Sequence, residues 1–378
     1  MSGSTPLILA TLSSLFFAGT LLALLRSVKG PLAMHLDATA TQTARLGTVF
    51  TLFLVPMMLV GGLLIDKWGA QPVLIAGALS AGLGLSGLAK SRAPRAAVPG
   101  VLLLSAGAAA LLLAGFTLLP RALPLRTEIA SASVGSVCFA LGVLLAPTLT
   151  GWLERRSGFR GGLLYLALTC LTPAVFAAVL STSDLATPPA HGVDWVLHQP
   201  ALWLAAAALF LYLPLDRALG VWANGYLKDV GITARMAIVW LGMLWLLFLG
   251  SRILAGALIP RTDEAWWIVF LAGFTTVCLG NLVGNYGPTG GGLGLLLLGA
   301  CLAPIFPALL GLVLRLFSGD AGTACGVVFA VAIAGNAILP SLLSPASERH
   351  APRTAMRLSL GFTLPLAAAG LVLALWHY

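Results

Sequence analysis

Gly62-Leu63-Leu64-Ile65-Asp66-Lys67-Trp68-Gly69 joins two apolar segments, each long enough to cross a bilayer. A carboxylate, a base and two glycines between such segments make a tight turn at a membrane surface, with the two helices paired on either side of it. The spacing is G-x-x-x-D-[RK]-x-G, with Gly62, Asp66, Lys67 and Gly69 at the fixed positions.

The rest of the chain agrees with a membrane setting. Of its 378 residues 59% are hydrophobic and only 9% charged, and its mean hydropathy is +1.00. A soluble domain carries about 25% charged residues, so lipid is the solvent this composition fits. The first segment lacks a basic leader and reads as a retained span rather than a cleaved signal. Cys138, Cys170, Cys278, Cys301 and Cys325 all fall in apolar stretches, which implies neither disulfide nor metal site. The five histidines sit in loops or at the end and form no ligand-like cluster. A net charge of +9 suggests nucleic acid in a soluble protein; here the bases occupy short loops, where lipid headgroups are their neighbours. No cofactor, no metal and no nucleic-acid partner is expected, and no enzymatic site.

Twelve apolar spans can be drawn, at 6–27, 46–65, 72–90, 97–119, 128–151, 161–181, 200–227, 237–259, 265–284, 289–317, 322–344 and 355–376. The polar stretch 182–199 divides them into an N-terminal six-helix bundle, 1–181, and a C-terminal one, 200–378. The halves echo each other. Gly62 and Lys67 recur as Gly256 and Arg261 at an offset of 194, and Gly142 and Pro147 as Gly335 and Pro340 at 193. Thr43-Ala44-Arg45 recurs as Thr233-Ala234-Arg235 at 190, which needs a gap of about one helical turn. Such echoes imply a duplicated six-helix unit.

The turn at Gly62–Gly69 resembles the loop between spans 2 and 3 of the major facilitator superfamily, a family of secondary transporters. Tyr212-Leu213-Pro214-Leu215-Asp216 with Gly220-Val221-Trp222, and Ala303-Pro304-Ile305-Phe306-Pro307 with Gly322-Thr323 and Gly326, resemble spans 7, 10 and 11 of its fucose-permease-like branch. Pro214 and Asp216 replace that branch's glycine and glutamate, and the turn ends Gly69-Ala70-Gln71 in place of paired bases. Span 4 lacks the arginine of many proton-driven drug exporters. The resemblance implies an all-α membrane protein of twelve transmembrane helices in two pseudo-symmetric six-helix bundles. It further implies alternating access, a monomer, a small-molecule solute such as a sugar moved with protons, and residence in the cell (inner or plasma) membrane.

The candidate solute- and proton-binding residues follow from charge in the wrong solvent. Asp216 and Arg217 fall near the middle of span 7, where an ionised group costs several kcal/mol unless paired or wetted. Adjacent on a helix, they point about 100° apart and need separate partners; Arg26 in span 1 is one candidate, and snorkelling to the interface is its other reading. Asn224, Asn281, Asn285 and Asn336 are the chain's asparagines. Asn336 stands four residues before Pro340, so a broken ladder leaves a carbonyl in want of a donor. Asn224 near Trp222 suits a sugar ring, and Trp240 is deep enough to line a cavity. Interhelical hydrogen bonding is the alternative role for each asparagine, and spans 1 to 6 offer little beyond Ser and Thr.

Gating falls to Gly62, Asp66, Lys67 and Gly69, since in relatives that aspartate meets the positive end of a neighbouring helix on the cytoplasmic side. Arg252, where the resembling branch commonly has Gly-Arg at the end of span 8, is a further gating candidate, and Arg261 is the second-half counterpart of the turn, with Pro260 standing where an acid would complete the latch. The resemblance places both termini in the cytoplasm. Lys29, Arg45, Lys90, Arg92, Arg95, Arg155, Arg156, Arg160, Lys228, Arg235, Arg349, Arg353 and Arg357 then lie outside, against Lys67, Arg121, Arg126, Arg261 and Arg315 inside. That distribution runs against the positive-inside rule. Three further readings stay open: an organic-anion carrier using Arg26 and Arg217, an exporter (Gly142, Pro147 and Gly151 partly match an antiporter motif, with Ala146 in place of its glycine), and a non-transporting sensor or assembly protein.

Overall fold

Gly69 is the single residue between two long helices, Ala40–Trp68 and Ala70–Lys90, so the quoted stretch is a helical hairpin. Its φ of +87° is open to glycine and strained for other residues, and its N–H closes the first helix on the Ile65 carbonyl at 2.8 Å. The computed structural model describes residues 5–180, 190–259, 264–284, 287–349 and 352–376. Among them every regular element is a helix.

In chain order these are α1 (Thr5–Ser27), α2 (Lys29–His35), α3 (Ala40–Trp68), α4 (Ala70–Lys90), α5 (Pro94–Ala122), α6 (Glu128–Thr169), α7 (Thr172–Ala178) and α8 (Val193–His198), then α9 (Pro200–Asp229), α10 (Ala234–Leu258), α11 (Glu264–Gly284), α12 (Pro288–Leu302), α13 (Ile305–Leu316), α14 (Ala321–Arg349) and α15 (Pro352–Trp376). Nine stretches among the described residues are long and apolar enough to cross a membrane. One of them, Glu128–Ala178, holds two crossings, because Gly158 leaves the helical region at φ 71°, ψ 167° and breaks it. The shorter apolar stretches Ala321–Asn336 and Ser359–Leu375 complete the twelve transmembrane helices of the fold. Span 10 is also divided, α12 giving way to α13 at Ala303-Pro304, although Ala303 keeps helical angles of φ −57° and ψ −41°.

The chain forms two compact units. The first comprises Met1–Leu125, Gly135–Val196 and Phe317–Ala330; the second comprises Arg126–Val134, Leu197–Leu316 and Val331–Tyr378. Each draws most of its mass from one half of the sequence and a short segment from the other. In the first unit α4 and α5 meet backbone to backbone. A Cβ on Gly84 would stand 2.6 Å from the Leu104 nitrogen, and one on Gly107 2.5 Å from that of Ala81. Close approach of small residues is how helices associate where lipid supplies no hydrophobic drive. Ser105 then ties α5 to α3 by donating to the Phe50 carbonyl at 2.9 Å. In the second unit α15 packs along α9 and α11, and α12 along α10 and α11. The buried Tyr226 hydroxyl, donating to the Leu282 carbonyl at 3.0 Å, joins α9 to α11.

The internal repeat is sharper in the structure than in the sequence echo. Thr233 caps α10, accepting the Met236 amide, but the residue that caps α3 is Thr39, in a reciprocal capping box with Gln42. Thr39 and Thr233 are 194 residues apart, the same offset as Gly62 and Gly256. The echo through Thr43 was therefore one turn out of register, and no gap is needed.

Candidate functional site

Asp66 lies in the last turn of α3 and reaches the first turn of α14. Its Oδ1 accepts the Gly322 amide at 2.8 Å and its Oδ2 the Thr323 amide at 2.6 Å. Amides in a helix's first turn have no partner within the helix, and the helix dipole adds a partial positive charge there, so a carboxylate is the natural cap. Glycines make the approach possible. A Cβ on Gly62 would run into the Gly322 carbonyl oxygen, and one on Gly322 would stand 2.5 Å from Asp66 Oδ1. Lys67 and Gly69 complete the turn without touching this cap; Lys67 points into the exposed surface.

A second carboxylate works at the same helix end. Asp320, 2% exposed, accepts the backbone amides of His191 and Gly192, each at 3.4 Å, and faces His191 Nδ1 at 3.3 Å. His191 stacks on Trp195, ring centroids 4.0 Å apart, and Trp195 packs edgewise on Phe317. His191 and Gly192 of the polar connection are thus moored beside the Asp66 cap. Nothing in the spacing of His191 announced this; the two residues are 129 apart in sequence. Gln71, standing where the resembling signature has a base, donates from Nε2 to the Ala177 and Leu180 carbonyls at 2.8 and 2.9 Å. An amide thereby serves the last turns of span 6.

In the second unit the adjacent charges on α9 diverge, as the 100° step requires. Arg217 Nη1 donates to the Asn336 main-chain carbonyl at 3.0 Å and approaches its Oδ1 at 3.5 Å. The carbonyl short of a donor has found one. Asp216, half-buried, lies in the field of Arg252 of α10. Arg252 is 4% exposed, donates from Nε to the Ala303 carbonyl at 3.2 Å, and bonds the Tyr212 hydroxyl at 3.3 Å. It also lies over the Phe248 and Phe306 rings, at 4.7 and 5.4 Å from their centroids. Arg252 and Tyr212, one helical turn before Asp216, are the partners that sequence reasoning did not assign to this cluster.

Trp222 lines a narrow apolar pocket, with a cavity volume of only about 20 Å³, together with Leu215, Leu219, Leu279, Leu298 and the hydroxyl residues Thr275 and Ser359. Trp240 covers Gly292, whose missing side chain leaves room for the indole. Asn224 and Asn281 are exposed. Arg26 is exposed in the last turn of α1, in the first unit. Arg261, Pro260 and Asn285 lie outside the described residues. Gly256 packs on Ala130 and Ser133 in the first turns of α6, much as Gly62 packs on the first turns of α14.

Solved structures share this fold at low sequence identity. A bacterial homologue of the iron transporter ferroportin, in its outward-facing state, superposes with a TM-score of 0.79 at 17% identity, covering 98% of each chain. The E. coli fucose:proton symporter FucP gives 0.76 at 16%, covering 97% of this chain and 98% of that one. The human organic anion transporter MFSD10 gives 0.74 at 17%, covering 97% and 99%. A search of curated protein sequences finds no match. The family model of the Major Facilitator Superfamily matches residues 7–340, and with most of its length accounted for in this way the chain belongs to that superfamily of membrane transporters.

Proposed function

We propose that this facilitator moves a small polar solute, a sugar or related metabolite, together with protons by alternating access. The observation that carries the reading is Asp216: a carboxylate midway along span 7, set in the field of the buried Arg252, while its neighbour Arg217 is committed to α14. A proton arriving at Asp216 changes the charge that Arg252 faces, and Arg252 also holds the Ala303 carbonyl and the Tyr212 hydroxyl. Protonation is thereby linked to contacts among spans 7, 8 and 10. The likeness to a fucose:proton symporter supports a sugar. The engagement of Arg217 with Asn336 weighs against that guanidinium as a free anion ligand. Asp66 and the first turn of α14 form the gate, with Gly62 allowing the close approach.

A thermal-shift screen of sugars, carboxylates and amines selects the solute, whose uptake is then followed in proteoliposomes with and without a proton gradient. Gradient-driven accumulation by the wild type, lost in Asp216→Asn with solute exchange retained, is the expected result. Equal accumulation by Asp216→Asn removes that residue from coupling. Stabilisation by carboxylates alone replaces the sugar with an organic anion.

A further inference from the structure

In an α-helix the carbonyl of residue i accepts the amide of residue i+4. Proline has no amide to give, so each proline inside a span strands one carbonyl. In the membrane interior an unsatisfied main-chain group costs several kcal/mol. Pro340 strands Asn336, and Pro307 strands Ala303. Both carbonyls are taken by arginines from other helices: Arg217 of α9 at 3.0 Å and Arg252 of α10 at 3.2 Å.

We infer that Arg217 and Arg252 are positioning residues, guanidinium pins that stand in for the backbone donors lost at the prolines of spans 11 and 10. Three features support this beyond the two bonds. The break at Ala303-Pro304 is where span 10 divides into α12 and α13. The division between the two compact units cuts α14 between Ala330 and Val331, so one helix carries the Asp66 cap in its first turn and the Arg217 pin at Asn336. Finally, Phe210 and Arg217, seven residues apart on one face of α9, meet the adjacent Gly335 and Asn336. Phe210 is the residue whose carbonyl Pro214 strands, and that oxygen would stand 2.6 Å from a Cβ on Gly335. The carbonyls of Phe210 and Asn336 thus each meet the other's helix at one crossing of α9 and α14.

A side-chain bond to a stranded carbonyl can break and re-form without unwinding a ladder, which suits a pivot. The pins hold spans 10 and 11 at their stranded carbonyls in a resting state and let go when the helices move. This hinge role rests on the transport reading above, whereas the pairing of each arginine with its proline does not.

The test is a pair of double-mutant cycles read as thermal unfolding in detergent: Arg217→Met with and without Pro340→Ala, and Arg252→Met with and without Pro307→Ala. An alanine restores the amide, so the loss in Tm from each arginine substitution is expected to fall by roughly half or more in the alanine background, well beyond the additive expectation for independent sites. Should Arg217→Met fail to accumulate alone, Pro340→Ala is expected to restore it. Additive losses in both cycles overturn the inference. For the transported solute, Arg217→Lys is expected to keep the half-saturating concentration within about threefold while slowing turnover, because a pin leaves ground-state binding alone; a large rise in that concentration with unchanged turnover makes Arg217 a ligand instead. Coupled cycles in a chain that moves no solute overturn the transport reading and leave the pins standing. Intact proton-driven uptake with uncoupled cycles does the reverse.

Discussion

Thr323 donates its amide to Asp66 at 2.6 Å across 257 residues of sequence. The Gly322 amide takes the other oxygen, so one carboxylate serves two donors at the start of α14. A cap of this kind is strong only while the helix end stays in place, because the dipole's effect is confined to the first turn. It therefore favours one arrangement of α3 against α14 and gives nothing to any arrangement in which they part. That is the behaviour a gate needs.

Asp66→Ala is expected to remove this preference. Loss of a capping carboxylate costs about 1–2 kcal/mol, equivalent to a roughly five- to thirtyfold rise in opening. Hydrogen exchange at Gly322 and Thr323 reads it directly, as faster exchange confined to the first turn of α14. Asp66→Asn keeps one acceptor and should fall between. Unchanged exchange in Asp66→Ala would mean the carboxylate is dispensable to the contact.

Two glycine substitutions separate close packing from helix propensity. A methyl at Gly62 meets the Gly322 main chain and the Gly326 Cα, neither of which can move aside, whereas one at Gly250 of α10 meets nothing within 4 Å. Gly62→Ala is expected to lower Tm by several degrees; Gly250→Ala should leave it unchanged or raise it, since alanine favours the helix by up to about 1 kcal/mol. Matching responses would show that the fit between α3 and α14 does not matter to stability.

What could be read from the chain beforehand was local. The turn at Gly69 shows as a motif because one glycine and one carboxylate fix it, and the need of the Asn336 carbonyl shows because Pro340 lies only four residues away. The partners did not show. Arg217 lies 119 residues from Asn336, and Arg252 lies 51 from Ala303. Which arginine meets which carbonyl is set by helix packing, and a single sequence carries no record of that. His191 was hidden for the same reason, as one histidine in a polar connection that acquires its meaning only beside Asp320. The repeat misled by one turn because Thr43 and Thr39 are four residues apart, and only cap geometry tells them apart.

Gln71 offers a test of the departure from the family's signature. Its Nε2 holds two carbonyls near the end of span 6, and its side chain is almost wholly enclosed. Gln71→Leu is expected to strand those carbonyls at a cost of about 1–3 kcal/mol, seen as a lower denaturation midpoint and as faster exchange of amides near Leu180. Gln71→Lys retains donors for both and should recover part of the loss. A leucine variant as stable as the wild type would show that water serves those carbonyls equally well.

The ion pair between Glu264 and Arg315 calls for an asymmetric result. Arg315 Nε meets Glu264 Oε2 at 3.0 Å, with the glutamate side chain fully enclosed and the arginine about one-third exposed. Removing the arginine takes this cation from an enclosed carboxylate, whereas removing the carboxylate's charge leaves an arginine that already reaches solvent. Losing one partner of a buried pair costs roughly 3–5 kcal/mol, and the exposure of Arg315 places Arg315→Met at the lower end, about 3 kcal/mol. Glu264→Gln keeps a hydrogen-bond acceptor of the same shape and should cost only about 1 kcal/mol. The order of the two midpoints in a chemical denaturation series decides it: if Glu264→Gln is the more damaging, the charge at the start of α11 is stabilised by something other than Arg315, and the α13 base is a bystander.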